Sequence, residues 1–251
     1  MKNKIIRLLI VLSVILLFYL VFILLGGIKS YFKTSTLITL CCATLYLVLI
    51  FLLVKQFNKA INNLSLTDFI GKNHFQAILI GIVAVAFSFF VPTIVEIQFD
   101  FTFQPINKIF QSSFEFIVVS ISEELVFRAF LFLSILYIFR HLLLSAIITS
   151  LLFTLIHFYE IDNFIPFLWV FSTGMLMTYL YVYTKSIGAP ITFHFLINLL
   201  NTNIIIQIND DHFILLGQAI VMILFVFVLG FLITKYEKVH FPIKFSKINN
   251  I

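Results

Sequence analysis

Apolar residues run almost without interruption along this chain, broken at intervals by short polar clusters. Runs of about 20 residues are long enough to cross a bilayer as helices. They predict eight helices, over 5–25, 37–54, 75–95, 110–139, 141–158, 164–184, 188–207 and 212–235. The fourth is longer than a bilayer needs, so it should tilt or extend past one face. The segment from Pro92 to Lys108 carries Glu96, Asp100 and Pro105 and reads as a loop or an interfacial stretch. No internal repeat, low-complexity tract or soluble domain interrupts the pattern. The simplest organisation is all-α: one integral membrane domain over residues 1–251, built as a polytopic helical bundle.

Composition turns that preference into a requirement. The chain is 62% hydrophobic and 11% charged, whereas a soluble domain is nearer half apolar and a quarter charged. It cannot cover its own surface with polar groups, so the lipid bilayer is its solvent. The formal charge of +5 calls for no nucleic acid, because basic residues gather at the ends of the apolar runs. With the N-terminus in the cytoplasm, twelve of the 16 Lys and Arg residues fall on the cytoplasmic side. Lys29, Lys33 and Lys108 fall outside, and Arg128 lies within a span. This asymmetry predicts that both termini are cytoplasmic. The opening stretch (Lys2, Lys4, Arg7, then an apolar run to Leu25) is long for a signal peptide, and Gly26-Gly27-Ile28-Lys29 is a weak cleavage site. It is taken as the first span. Cys41 and Cys42 are adjacent within an apolar run, without ligand spacing, and read as small buried hydrophobes.

Candidate chemistry is concentrated in the few polar residues inside the runs. Ionisable side chains at bilayer depth are costly and usually face a partner or a wet cavity. Ser122-Glu123-Glu124-Leu125-Val126-Phe127-Arg128 places two acids and an arginine within a turn and a half of the fourth helix. Glu124 and Arg128 share the four-residue spacing of one helix face and can pair. Glu123 points about 100° away from Glu124 and is free for another neighbour. His157 closes Phe153-Thr154-Leu155-Ile156-His157 on the fifth helix, and His194 and Asn198 share one face of the seventh.

Hydrolysis of a peptide bond needs an activated water, stabilisation of an oxyanion and a proton for the leaving amine. Glu123 can act as general base, His157 can orient the water, and His194 with Asn198 can donate to the oxyanion. Glu123, His157 and His194 are equally a carboxylate-and-two-imidazole set of the kind that holds catalytic zinc, with Glu124 then the base. The sequence leaves both schemes open. Each residue alone also has a plainer reading. A membrane histidine or asparagine commonly bonds one helix to another, and a proton or ion relay uses the same residue types. The combination and its order along the chain favour catalysis.

That order is Glu123-Glu124-x-x-x-Arg128, then Phe153-x-x-x-His157, then His194-x-x-x-Asn198, with Ser186-Ile187-Gly188-Ala189-Pro190 leading into the third motif. It resembles the CPBP family, the CAAX protease and bacteriocin-processing (Abi) intramembrane proteases, over about residues 110–206. The resemblance implies an eight-helix membrane fold with the site in a cavity between helices. It carries the catalytic glutamate onto Glu123, the water-binding histidine onto His157 and the oxyanion pair onto His194 and Asn198, with Glu124 and Arg128 in supporting places. Family members are described as metalloproteases, and a metal-free, glutamate-activated water has also been argued, so Zn2+ stays open. The implied partner is a peptide or membrane-protein substrate. Eukaryotic members trim prenylated proteins; prokaryotic members are linked to peptide processing, bacteriocin immunity and turnover. The composition looks bacterial, which places the protein in a bacterial cell membrane. Two rival classes remain: a non-catalytic immunity or scaffold protein, and a proton-coupled transporter, for which paired broken helices or an inverted repeat would be expected and none is evident.

The predicted spans raise one geometric conflict. At about 1.5 Å per residue, Glu123 and His157 lie roughly 24 Å from their assigned cytoplasmic ends, and His194 only about 9 Å from its own. Either the seventh helix begins inside the bilayer, or the fourth and fifth run beyond it near the tight turn at Arg140-His141. His74, His141, His212 and His240 fall at helix ends or in loops and are assigned no role. Tyr159, Glu160 and Asp162 follow His157 and read as a solvated loop, with a place at the cavity mouth as the alternative.

Overall fold

Apolar runs become helices here because lipid offers the backbone no hydrogen-bond partner, so each run must satisfy its own N–H and C=O groups. The structure, a computed structural model, describes residues 13, 36–59, 65–95, 101–158, 161, 163–206 and 211–236. All of the first span over 5–25 except residue 13 lies outside them, as do His240, Tyr159, Glu160 and Asp162. The described chain forms α1 (Thr36–Phe57), a short α2 (Leu66–Ile70) and α3 (His74–Val95). Strand β1 (Phe101–Phe103) then leads into α4 (Ile106–Val126), a π-helical turn (Phe127–Phe132) and α5 (Leu133–Phe139). There follow α6 (Leu142–Ile156), α7 (Phe164–Thr184), α8 (Gly188–Asn203), strand β2 (Ile204–Ile206) and α9 (Asp211–Tyr236). The protein is an all-α membrane bundle, and each anticipated span among the described residues coincides with a helix.

Several boundaries differ from the sequence expectation. Pro92 lies inside α3 rather than in a loop. The stretch after it pairs Phe101–Phe103 antiparallel with Ile204–Ile206, so the end of the seventh run is strand, not helix. The fourth run starts earlier, at Ile106, and its single long helix is interrupted by the π turn. Cys41 and Cys42 sit on α1, outside the side chains described.

Packing follows apolar exposure. Large apolar side chains on α1 (Leu45, Leu49), α3 (Phe75, Phe87) and α9 (Phe227, Phe231) face outward, as a lipid-facing surface requires. Among the described residues, three helical stretches are long and apolar enough to cross a membrane: His74–Pro92, Phe164–Thr184 and Ile214–Thr234. Of these, α7 is the most enclosed; it packs against α6, α8 and α9. Gly174 on α7 permits the approach to α6, because a Cβ there would stand 3.1 Å from the Ser150 Cβ.

Helix α8, the carrier of His194 and Asn198, is fixed at both ends. At its start, the Ile187 N–H donates to the Ile70 carbonyl at 2.9 Å, and Ser186 Oγ lies 2.8 Å from His74 Nδ1. Tyr181 donates to the Phe69 carbonyl at 2.6 Å. Gly71, with φ of 89°, makes this junction possible, since a Cβ there would collide with the Lys185 carbonyl. At its other end, the Gln104 N–H donates to the Asn203 carbonyl at 3.0 Å, and Ser112 donates to Asn203 Oδ1 at 3.0 Å. His74, expected to be idle, is thus part of a latch, and His141 caps α6 by accepting from the Leu144 N–H.

Candidate active site

The acidic pair sits on the last turn of α4, just before the helix changes pitch. The Phe127 N–H is shared between the carbonyls of Glu123 and Glu124, and the next six residues take the wider π turn. Such turns are rare and gather at functional positions. Arg128 lies within it, completely buried. Its Nη1 donates to Glu124 Oε1 at 3.0 Å, and its Nη2 donates to the Gly174 carbonyl of α7 at 3.1 Å. Its guanidinium carbon lies 4.6 Å over the centre of the Phe153 ring, a cation–π contact strengthened by burial.

Glu124 faces two helices at once. Besides Arg128, its Oε1 lies 2.8 Å from His194 Nδ1. A carboxylate there holds a proton on Nδ1 and aims Nε2 the other way. His157, at the C-terminal end of α6, is held likewise. Its Nδ1 lies 2.9 Å from the Phe153 carbonyl, which can only accept, so Nδ1 carries the proton and the neutral ring leaves its lone pair on Nε2.

Both Nε2 atoms converge on one oxygen. Glu123 Oε2 is 3.9 Å from His157 Nε2 and 3.9 Å from His194 Nε2. Among the described residues Oε2 is buried without a hydrogen-bond partner, as are Glu124 Oε2 and Arg128 Nε. A separation of 3.9 Å is too long for a hydrogen bond and suits a water lying between the groups. Exposure is graded across the cluster: the side chains of Glu124, His194 and Glu123 are 0%, 3% and 5% accessible, and that of His157 is 17%. Access to the cluster therefore lies past His157.

The donor set also bears on zinc. Tetrahedral ligands at about 2.0–2.1 Å stand about 3.3 Å from one another, shorter than both 3.9 Å separations here. Among the described residues no group of three His, Cys, Asp or Glu side chains is spaced to hold a metal ion.

The structure thus gathers Glu123, Glu124, Arg128, His157 and His194 from three helical segments. Asn198 lies one turn along α8 from His194, partly exposed, and makes no hydrogen bond among the described residues. Glu123 and His194 meet at one level of the bundle. Asn58, next after α1, donates to the Ala129 carbonyl at 2.8 Å, and the Phe132 ring meets Tyr181 near the end of α7. Glu123 is six residues from Ala129, and His194 six from Gly188, about 9 Å in each case. The surplus length of the fourth run lies beyond that level.

Two participants had no assigned part in the sequence. Phe153 is the floor of the site: its ring meets His157 at 4.6 Å, His194 edge-on at 5.8 Å and Phe127 edge-on at 5.3 Å, besides carrying Arg128. Its four-residue spacing from His157 was the available signal. Gly174 gave none, since only the fold brings its carbonyl to Arg128.

No curated protein and no solved structure matches this chain. Residues 105–200 match a family model, described as Type II CAAX prenyl endopeptidase Rce1-like. That stretch contains all six residues singled out above, from Glu123 to Asn198. Residues 105–200 of this integral membrane protein are accordingly similar to the Rce1-like CAAX endopeptidases, a family of membrane endopeptidases.

Proposed function

We propose that the protein is an intramembrane endopeptidase in which Glu123 activates the hydrolytic water. One observation carries this reading: an unpartnered, buried carboxylate oxygen faces two imidazole Nε2 atoms at 3.9 Å each. The water donates one proton to Glu123 Oε2 and the other to the His157 Nε2 lone pair. Its oxygen attacks the scissile carbonyl, Glu123 takes the proton, and the oxyanion develops opposite. His194 serves as oxyanion donor when both its nitrogens carry protons, Nδ1–H towards Glu124 and Nε2–H towards substrate. Two ionised carboxylates, one guanidinium and one imidazolium then sum to zero, which a buried cluster favours. The Asn198 amide, one turn away, is the second donor. Glu123 finally returns its proton to the leaving amine as the C–N bond breaks. Glu124 and Arg128 brace the site.

The substrate is a membrane-associated protein or peptide; the family description directs first tests to prenylated chains ending in the CAAX pattern. The protein belongs in a bacterial cell membrane with both termini cytoplasmic. Supporting this, Lys55, Lys59, Lys72 and Arg140 are exposed at the end of the bundle where α1, α5 and α7 finish. We route the mechanism through water alone, since the two 3.9 Å separations are longer than neighbouring zinc ligands take. Incubation with a strong chelator should leave cleavage within twofold, and loss of activity restored by Zn2+ would overturn that part.

The main test compares peptides released by cells carrying the wild type or Glu123→Gln at matched membrane expression. A peptide set that disappears with the variant supports proteolysis and identifies substrates. An identical set, with the wild-type phenotype retained, would move the assignment to a non-catalytic immunity or scaffold role.

A further inference from the structure

A short β-ribbon stands at the mouth of the site, on the two helices that supply most of it. Strand β1 leads through Pro105 into α4, the carrier of Glu123, and β2 continues directly from α8, the carrier of His194 and Asn198. These two helices run antiparallel, with Glu124 beside His194 and Ser112 beside Asn203. Helix α6 turns back after Arg140, so its end, with His157, points the same way as the ribbon. Access to the cluster lies past His157, and the ribbon is on that side. From His194 to Asn203 is nine residues, about 14 Å of helix. An extended peptide covers that distance in about four residues.

The ribbon has an open edge. Phe101, Thr102 and Phe103 face Ile206, Ile205 and Ile204, and the Gln104 N–H donates to the Asn203 carbonyl at 3.0 Å. Bonded and unbonded pairs alternate along an antiparallel ladder. Thr102 therefore bonds inward to Ile205, while Phe101 and Phe103 turn their N–H and C=O groups outward. The sheet has two strands, and no other backbone group among the described residues bonds that edge. Exposed apolar side chains flank it: Phe103 itself, and Ile106 and Phe110, which share one face of α4.

The reaction supplies the occupant. A scissile carbonyl must be freed from helical hydrogen bonds before water can attack it, so the substrate enters extended. Unwound backbone in an apolar setting must find new partners. Helices α4, α6 and α8 have few to give, because their N–H and C=O groups bond within each helix. The outer edge of β1 offers what an extended chain lacks. We propose that the substrate adds to this edge as a third strand, pairing with Phe101 and Phe103 about four to seven residues from the scissile bond. Its apolar side chains lie over Ile106 and Phe110. The proposal deepens the proteolytic reading above and rests on it.

The test uses the full-length protein and a peptide identified by the Glu123→Gln comparison, methylated at one backbone nitrogen at a time. Only alternate residues of an added strand aim their N–H at its neighbour. Methylation at alternate positions in that window should raise KM about tenfold, with kcat within twofold, and the positions between should have no effect. Phe103→Pro removes an outward N–H and keeps the inner ladder, a place where an edge strand tolerates proline. It should raise KM about tenfold at wild-type Tm, and in it the methylation penalty should fall below threefold, since both changes break one pairing. A scan without alternation overturns the proposal, and it decides the matter on the wild type even if Phe103→Pro does not fold. A folded Phe103→Pro with wild-type KM also overturns it; if that variant loses a dimer instead, the edge belongs to a second copy of the chain. If Glu123→Gln still cleaves, the proteolytic reading fails and the proposal with it. A flat scan beside an inactive Glu123→Gln overturns the proposal alone.

Discussion

Two of the polar clusters that the described residues form between helices are finished differently. Between α7, α8 and α9, Trp169 Nε1 donates to Gln218 Oε1 at 2.7 Å, and Gln218 Nε2 donates to Asn201 Oδ1 at 3.1 Å. Every group in that knot is neutral, and none of its atoms is left buried without a partner. Between α4, α6 and α8, the groups are charged, and Glu123 Oε2, Glu124 Oε2 and Arg128 Nε are all orphaned. A structural knot satisfies itself, because unmet polar groups in lipid cost free energy. A catalytic cluster keeps vacant hydrogen-bonding capacity for water and substrate. The same division runs through the acidic pair: Glu124 is tied to Arg128 and His194, whereas Glu123 faces the space those ties leave open.

The sharpest way to break this contrast is Glu123→Gln. Loss of the base should lower kcat by at least about 10³-fold, with Tm unchanged or raised, as read by cleavage assay and thermal unfolding in detergent. A Tm falling well below wild type would make Glu123 a structural residue like those of the neutral knot.

Arg128→Met should act in the opposite sense. Stranding the Glu124 carboxylate without its guanidinium should cost about 3–5 kcal/mol of stability, visible as lost membrane expression and early unfolding. Restoring much of that stability with Glu124→Gln in the same chain would show that the cost is the unpaired charge.

Phe153→Leu tests the floor beneath both imidazoles. The cation–π contact is worth about 2 kcal/mol when desolvated, so stability should fall by no more than that. Turnover should drop about tenfold as the rings lose their common platform. Equal loss of activity and folded protein would reduce Phe153 to core packing.

The smallest effect belongs to the neutral knot. Gln218→Leu should cost about 1 kcal/mol and leave kcat per folded molecule within twofold. A tenfold fall in kcat there would erase the distinction between the clusters.

The helices were legible in the sequence because burial in lipid demands long apolar runs, and each run among the described residues became a helix. Glu124 and Arg128 were legible because their pairing is local, four residues apart on one face. The motif spacings likewise put Phe153 beside His157 and Asn198 beside His194. The π turn was not legible, since Phe127–Phe132 reads as ordinary apolar helix. Nor was the ribbon of Phe101–Phe103 with Ile204–Ile206, whose partners lie about a hundred residues apart.

What the sequence determined by itself is therefore the set of spans and the chemical inventory, because both depend on composition and on contacts within a turn or two. The tertiary structure alone decided that Glu123 Oε2 would meet two Nε2 atoms at equal distance and that Arg128 would find the Gly174 carbonyl. Those outcomes depend on how far each helix is slid along its neighbours. That register is set by the latch at Ser186 and the tie at Asn203, and no residue pattern within a single helix encodes it.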